Sequence, residues 1–244
     1  MEDSEYFRTY RLETDHWWFV SRRQLAAALL SPRLMPQPRR RILDAGCGPG
    51  GNINLLQQWG RVTGIDLNAL PLSLVGKRGG PLAQASITAL PFADGAFGLI
   101  TAFDVLYHQW VADDGLALTE FYRTLEPGGW LLITDSALPW LWSAHDRLYF
   151  ARQRYTVADL RRKLTTAGFD LHFCSYVNML LLPLTLTIRR LMRRADFDMQ
   201  PVPPALNRLL IAIRGLETAW VRRGWILPLG SSVVGLAQKP KDTE

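Results

Sequence analysis

Cysteine and histidine are scarce in this chain, with two Cys and four His among 244 residues. Cys47 and Cys174 lie far apart, without a CxxC pair or a histidine at metal-ligand spacing. That arrangement excludes the usual disulfide frameworks and zinc sites, and we expect no bound metal.

Long apolar runs are also lacking. The nearest to a membrane span is Tyr176–Met192, whose apolar run is too short and is interrupted by Asn178, Pro183 and the pair Arg189–Arg190. The first 19 residues are acidic and polar and do not form a charged-then-apolar leader. We therefore expect a cytoplasmic chain whose thiols stay reduced.

Positive charge is concentrated in the last third of the chain. The formal net charge is +6, and residues 176–244 contain ten Lys and Arg against five Asp and Glu. A basic segment of this kind can face nucleic acid, anionic lipid or a phosphorylated substrate. An ordinary solvated surface is the alternative.

What is present is an alternation of short apolar strands with helices. Strands are predicted at Arg41–Asp44, Arg61–Leu67, Leu82–Ser86, Phe97–Asp104, Trp130–Ser136, Phe169–Val177 and Ser232–Gln238. Helices are predicted at Phe19–Leu30, Asn52–Trp59, Gly115–Leu125, Val157–Ala167, Leu184–Arg194 and Pro204–Arg223, with a short one after Asn68 that Pro71 should break. The pattern predicts an α/β fold with a Rossmann-like, doubly wound sheet of seven strands, the last antiparallel.

Three segments follow from this order. Residues 1–38, which end in a Pro-rich break, should form an N-terminal helical lid. Residues 39–179 and 229–240 should form the ligand-binding core, and residues 180–228 a helical insertion before the last strand. The insertion combines Leu and Arg at helical spacing, so it can be a platform for an amphipathic, anionic acceptor at a membrane surface. A helical cap with its arginines in solvent is the alternative.

The first predicted strand runs into a glycine-rich turn, "LDAGCGPGG". Ligands of open α/β sheets bind at such a turn, where glycines let the backbone approach closely. Gly46, Gly48 and Gly51 fit the dinucleotide fingerprint, whereas Gly46, Gly48 and Gly50 after Asp44 fit the class I S-adenosyl-L-methionine (SAM) methyltransferases. A carboxylate two residues before the turn suits a ligand with an ammonium and a sulfonium and disfavours a pyrophosphate.

The middle of the chain resembles the same methyltransferase superfamily. The segments "ALPFADGAFGLITAFDVLYH" and "FYRTLEPGGWLLITDSAL" carry its Leu-Pro-Phe, strand-ending Asp and Pro-Gly-Gly motifs in order, a set not typical of NAD enzymes. A narrower resemblance begins at "HWWFVSRR" and continues through "WSAHDRLYFARQRYT" and "LPLGSSVVGLAQKP". It is to bacterial methyltransferases with a His-Trp-Trp-Phe-x-x-Arg signature, which often belong to glycan or lipid-linked saccharide pathways.

The resemblance implies a set of cofactor-binding residues. Asp44 and the turn would hold the methionine part of SAM, Asp66 the ribose hydroxyls, and Leu67 the adenine, while Arg22 would pair with the SAM carboxylate. The full set is Asp44, Gly46, Gly48, Gly50, Asp66, Leu67, Ser86, Ile87, Phe103, Arg22 and Trp17. Ser86 departs from the family, which usually has an Asp at the adenine amine, and Ala151 stands where the narrower group tends to have a histidine.

Residues after the fourth and fifth strands should meet the methyl acceptor. Asp104 can orient it, and His108 or His145 can act as general base; backbone-bonded structural roles for both histidines are the alternative. Candidate substrate-binding residues are Trp18, Tyr107, Asp146, Tyr155, Tyr176 and Asn178.

The sequence thus predicts a SAM-dependent methyltransferase, forming S-adenosyl-L-homocysteine and acting on a small or lipid-linked acceptor at oxygen, with peripheral membrane contact through the Leu/Arg-rich helices. An RNA methyltransferase and a non-catalytic SAM-binding protein are the alternatives; nucleic acid is not expected, because no RNA-binding module is visible.

Overall fold

The computed structural model describes residues 3–75, 81–192 and 200–241. Its seven strands, in chain order, are β1 Arg41–Ala45, β2 Arg61–Asp66, β3 Leu82–Gln84, β4 Phe97–Phe103, β5 Leu125–Ser136, β6 Asp170–Val177 and β7 Ser232–Gln238. The helices are α1 Asp3–Leu12, α2 Trp17–Leu30, α3 Ile53–Leu56, α4 Ala69–Val75, α5 Asp114–Thr124, α6 Ala144–Leu148, α7 Val157–Thr166, α8 Leu182–Met192 and α9 Pro204–Arg222.

All seven strands form one sheet in the order β3-β2-β1-β4-β5-β7-β6. The strands β1 to β5 pair in parallel, and β7 lies antiparallel between β5 and β6. Ser136, Val177 and Ser232 share one register position. The carboxyl ends of β5 and β6 and the start of β7 therefore meet at the same edge as the glycine turn, and the predicted fold is confirmed.

Neighbouring residues of the central strands supply two separate cores. Leu43 and Ile100 belong to one buried cluster, and Ile42 and Leu99 belong to the other. Because successive side chains of a strand point to opposite faces, a continuous apolar run is buried on both sides of the sheet. All seven residues of β4 are buried accordingly.

Local signals explain several element boundaries. Thr156 caps α7 as predicted: its side chain accepts a hydrogen bond from the Asp159 N–H at 3.0 Å. Pro71 does not break α4, contrary to expectation, because it lies in the first turn, where a backbone N–H has no helical partner. Asn68 starts this helix, and its side chain accepts from the Leu70 N–H at 2.9 Å.

Other boundaries differ from the sequence prediction. The helix expected at Asn52–Trp59 is reduced to α3, because Gln58 and Trp59 bond three residues back in a tight turn toward β2. The strand expected from Trp130 already begins at Leu125, with a register irregularity opposite Phe97. The helices α1 and α6 were not expected. The last two residues of the predicted helix Leu184–Arg194 lie outside the described residues.

The N-terminal helix α2 packs onto the helix before the last strand. The helix α2 lies along α9, and Leu25 and Leu29 of α2 share a buried cluster with Val221 of α9. Within the described residues, no helix combines the length and the apolar character needed to cross a bilayer.

Candidate functional site

The glycine turn after β1 has a backbone that only glycine adopts readily. Gly46, Gly48 and Gly50 have φ values of +73°, +52° and +86°, in the left-handed region. A Cβ at Gly46 would meet Val105 Cγ2 at 2.4 Å, whereas a Cβ at Gly48 would meet nothing within 4 Å. There is therefore room for a ligand beside Gly48. At Gly46, a side chain would clash with Val105 in the loop after β4.

Asp66, at the end of β2, is fixed by this turn. Its Oδ2 accepts from the Gly48 N–H at 3.1 Å and its Oδ1 accepts from the Asn68 N–H at 3.0 Å. Burial raises the pKa of Asp66, and the two N–H groups oppose that shift. Each carboxylate oxygen keeps a further lone pair, so the group can accept hydrogen bonds from a ribose as well.

Asp44 lies beneath the turn, at the end of β1. Its Oδ1 accepts from the Thr101 hydroxyl at 2.8 Å, and its buried Oδ2 has no hydrogen-bond partner among the described residues. Burial raises the pKa of Asp44 to about 6. A cationic ligand at the turn would favour the ionised carboxylate, so this residue fits the ammonium and sulfonium of SAM.

A cavity of about 540 Å³ opens above the turn. It brings together fourteen predicted site residues: Trp17, Trp18, Arg22, Gly46, Gly48, Asp66, Leu67, Ser86, Ile87, Phe103, Asp104, Tyr107, His108 and His145. The glycines, Asp66 and Ile87 lie at one end, which we call the cofactor end. The residues that follow β4 and β5 lie at the other, which we call the acceptor end.

At the cofactor end, the Ser86 hydroxyl is already engaged within its own turn. Its oxygen accepts from the Thr88 N–H at 3.2 Å and lies 2.8 Å from the Thr88 hydroxyl. Leu67 is exposed in the cavity wall, with its carbonyl accepting from the Gln84 side chain. An adenine here would be held chiefly by apolar contact with Leu67 and Ile87.

Arg22 lies where the two ends meet. Its Nη1 is 2.6 Å from Asp104 Oδ2, and its guanidinium lies 5.3 Å from the Phe19 ring centre and 5.4 Å from that of Phe103. The Nη1 group of Arg22 is thus paired with Asp104, and the predicted contact with a ligand carboxylate would use its other N–H groups. Its buried Nε has no hydrogen-bond partner among the described residues.

The three predicted catalytic residues, one carboxylate and two histidines, occupy different electrostatic settings. Asp104 has φ +56° and pairs with Arg22; burial raises its pKa, an effect that Arg22 opposes. Burial lowers the pKa of His108 to about 4, and its Nδ1 has no hydrogen-bond partner among the described residues. The His145 ring packs on Tyr149, with ring centres 4.5 Å apart.

Six predicted site residues do not line the cavity: Asp44, Gly50, Asp146, Tyr155, Tyr176 and Asn178. Asp44 lies beneath the turn, and Gly50 faces Val75. The Asp146 carboxylate forms a buried pair with Arg154, with 2.6 Å between Oδ1 and Nε.

The remaining three are occupied with the fold. Tyr155 is buried, and its hydroxyl donates to Asp114 or Leu106. Asn178 bonds Glu217 through its N–H and Ser232 through its amide, and Tyr176 packs against the core. None of the three lines the cavity, and their predicted contact with substrate stays a prediction.

Sequence reasoning missed the wall that α1 contributes. Tyr6, Thr9 and Glu13 line the cavity at the i, i+3, i+7 spacing of one helical face. Glu13 Oε2 accepts from the Gly51 N–H at 3.0 Å, and Tyr149 donates to Glu5 at 2.9 Å. Helical periodicity in residues 5–13 was the available signal.

The sheet order, the left-handed glycine turn and the two strand-end carboxylates define a nucleoside-binding α/β fold that suits a cationic ligand. The sequence profile of a family described as a methyltransferase domain matches residues 43–133. The malonyl-[acyl-carrier protein] O-methyltransferase of Pseudescherichia vulneris is 32% identical over 199 residues, which cover 79% of this chain and 69% of that protein.

A further relative is similar in sequence, and a solved structure is similar in fold. The fatty-acid O-methyltransferase of Mycolicibacterium smegmatis is 31% identical over 139 residues, 54% of this chain and 44% of that protein. The structure of Haemonchus contortus phosphoethanolamine N-methyltransferase 2 with SAM has a TM-score of 0.60 at 18% identity, covering 89% of this chain and 52% of that chain. The chain belongs to the class I SAM-dependent methyltransferases, and SAM is its cofactor.

Proposed function

We propose that this enzyme methylates a carboxylate oxygen of a small or lipid-linked acyl acceptor. The electrostatics of the acceptor end carry the proposal. Asp104 is held in an ion pair by Arg22, and the lowered pKa of His108, about 4, makes it a weak base. A carboxylate arrives already ionised and needs no base, whereas a hydroxyl acceptor must lose a proton. Two relatives named for O-methylation of acyl compounds support the same class.

The cofactor end would hold SAM with the residues described above. Asp44 and the backbone at Gly46 and Gly48 would hold its methionine part, Asp66 the ribose, and Leu67 and Ile87 the adenine. Bound SAM supplies a methyl group on a sulfonium whose leaving group is neutral. The protein therefore contributes chiefly position and the exclusion of water.

The N-terminal segment 1–38 would act as the lid over both ends. The cavity is lined by Tyr6 from α1, by Glu13 just after it, and by Trp17 and Trp18 from α2. His16 accepts from the Trp18 N–H at 3.4 Å and caps α2, and Arg22 reaches the start of the acceptor end. These contacts support membership of the subgroup with the His-Trp-Trp-Phe-x-x-Arg signature, in which the motif would shape the lid.

The acceptor would enter beside α8, at the sheet edge where β5 and β6 end. Four further residues line the acceptor end: Ser231 just before β7, Ser232 at its start, Thr185 of α8, and Arg154. For a lipid-linked acceptor, peripheral contact of the Leu/Arg-rich helices with a membrane would bring enzyme and acceptor together. A bacterial, cytoplasmic enzyme stays a prediction from the sequence.

Comparing acceptors in wild type and the His145→Ala variant tests the proposal. Purified enzyme is given SAM with a free fatty acid, a malonyl thioester or a long-chain alcohol, and methylated products are measured by mass spectrometry. We expect esters of the carboxylates, with His145→Ala lowering kcat less than about tenfold. A loss on the order of a hundredfold or more would mean that His145 removes a proton, and would contradict a carboxylate acceptor.

A further inference from the structure

The outer side of α9 carries a largely exposed apolar stripe, in which Trp220 also packs against a buried cluster. Leu206, Leu209, Ile213, Leu216 and Trp220 recur at steps of three and four residues, so they share one side of the helix. Leu206, Leu209 and Leu216 are 41%, 56% and 57% exposed. Leu210, Arg214, Glu217 and Val221 form the separate buried face of the same helix.

The stripe continues beyond the end of the helix. The Trp225 ring stacks on Trp220, with ring centres 6.0 Å apart and an interplanar angle of 22°. Trp225 and its neighbour Ile226 are 58% and 61% exposed. We call these seven residues, from Leu206 to Ile226, the α9 stripe. Large exposed apolar surfaces of this kind mark a contact with a protein or a membrane.

Within positions 200–231 the exposed charge has one sign, and Asp15, whose carbonyl accepts from Asn207, adds one exposed carboxylate near the start of α9. Glu217 is the single acidic residue among positions 200–231, and it is buried with its salt-bridge partner Arg214. Its carboxylate also accepts from the N–H groups of Asn178 and Leu180 at the end of β6. The charged residues left at the surface of this segment are Arg208, Arg222 and Arg223. The partner should therefore be anionic and should offer an apolar layer.

The α9 stripe also adjoins the cavity. The Asn207 side chain accepts from the Trp17 N–H at 2.7 Å, and Trp17 lines the cavity wall. The exposed residues Trp140 and Trp142 follow β5, and Leu180 and Leu184 follow β6, so they leave the sheet at the same edge. Apolar exposure is thus concentrated where a ligand enters.

We propose that the α9 stripe and its arginines dock the enzyme on an anionic bilayer surface, with the cavity mouth near the lipid. Leu side chains would enter the headgroup boundary, Trp225 would lie at the interface, and the arginines would contact lipid phosphates. A second copy of the chain is a poorer partner, because a symmetric contact through this helix would bring Arg208, Arg222 and Arg223 of both copies together, with no exposed acid among positions 200–231 to pair with. The docking rests on the proposed function only in its purpose, which would be to deliver a lipid-linked acceptor to the cavity.

Co-sedimentation with lipid vesicles tests the docking without SAM or an acceptor, so its result is independent of the methyl-transfer assay. Vesicles of phosphatidylcholine alone are compared with vesicles that also contain phosphatidylglycerol. We expect binding to the anionic vesicles that weakens with salt. Arg222→Gln with Arg223→Gln should lower binding roughly fivefold per arginine, and Leu209→Gln with Leu216→Gln at least about tenfold.

Matched variants on another surface are the controls. Leu116→Gln on α5 removes an exposed leucine, and Arg161→Gln with Arg162→Gln on α7 removes an exposed arginine pair; both should bind vesicles as wild type does. Three results would overturn the proposal: no preference for anionic vesicles, equal losses in the α7 pair, or a dimer in solution that Leu209→Gln with Leu216→Gln dissociates. SAM titration of each variant shows that it is folded.

Discussion

The cofactor end and the acceptor end of one cavity are built in different ways. The cofactor end uses backbone N–H groups and two carboxylates from a short stretch of chain: Asp44, the turn at Gly46–Gly48, and Asp66. The acceptor end uses side chains from remote segments, which meet through contacts such as Tyr149 with Glu5, 144 residues apart. The geometry of the cofactor end is thus set by one short segment, whereas that of the acceptor end depends on tertiary contacts.

Amino-acid substitutions should be tolerated less well at the cofactor end than at the acceptor end. A backbone cradle depends on left-handed φ values that few residues adopt, so it admits few substitutions. Side chains that helices contribute to the acceptor end can be replaced one at a time while the sheet is retained. The same fold can therefore keep SAM while its acceptor changes, and substitutions at the two ends should have effects of different size.

The sharpest test of the cofactor end compares two glycines of the turn. Gly46→Ala combines φ +73° with a Cβ 2.4 Å from Val105 Cγ2, so it should cost about 1–3 kcal/mol of unfolding free energy and weaken SAM binding on the order of a hundredfold. Gly48→Ala has φ +52° and open space around its Cβ. It should cost about 1–2 kcal/mol and weaken binding roughly tenfold. Thermal unfolding and calorimetric titration measure the two effects.

The control for both is Gly215→Ala in α9. A Cβ there meets nothing within 4 Å and the backbone is helical, so the variant should gain about 0.5–1 kcal/mol of stability and bind SAM normally. Equal binding losses at Gly46 and Gly48, with equal stability losses, would mean that the clash with Val105 is relieved by movement of the loop.

Stability and SAM binding should both depend on pH through the Asp44 carboxyl. Its pKa rises from 3.8 to about 6 in the fold because the carboxyl is buried. The folded chain then holds a proton that the unfolded chain releases, so stability from this group is present below pH 3.8 and is lost as pH rises through 6. A cationic ligand favours the ionised form. The SAM dissociation constant should therefore rise by about tenfold per pH unit below the pKa.

Calorimetric titration of SAM across this range measures the effect, and buffers of different ionisation enthalpy reveal the released proton. Asp66 and Asp104 also have raised pKa values, so Asp44→Asn is the control that isolates one group. This variant should bind SAM weakly with a flatter pH profile. An unchanged slope would show that another carboxyl carries the dependence.

Sequence reasoning reached the cofactor end and the sheet because their determinants are local. Asp44, the glycines and Asp66 lie within 23 residues, and strand alternation fixed the order of elements around them. The acceptor end was predicted only in part, because it also depends on contacts between distant segments. Nothing near Asp146 or Tyr155 in the chain reveals that Arg154 and Asp114 occupy their polar groups, and nothing near Glu13 reveals that it reaches Gly51.

The weakest effect should follow from loss of the hydrogen bonds that join the start of α2 and the turn before it to α9. The Asn207 side chain accepts from the Trp17 N–H at 2.7 Å and donates to the Asp15 carbonyl at 2.8 Å. Asn207→Ala removes two partly exposed hydrogen bonds, each contributing about 1 kcal/mol at most. The start of α2 should separate more often from α9. Amide hydrogen exchange in residues 3–30 should quicken by roughly tenfold, and SAM binding should weaken about threefold to fivefold.

Asn54→Ala, an exposed asparagine on α3, is the matched control and should change neither readout. If Asn207→Ala leaves exchange in α1 and α2 unchanged, packing of Leu25 and Leu29 against Val221 is sufficient to hold the segment. If exchange quickens while SAM affinity stays constant, the N-terminal helices move without covering the cofactor. They would then belong to the acceptor end alone, where Tyr149 and Glu5 already connect them to α6.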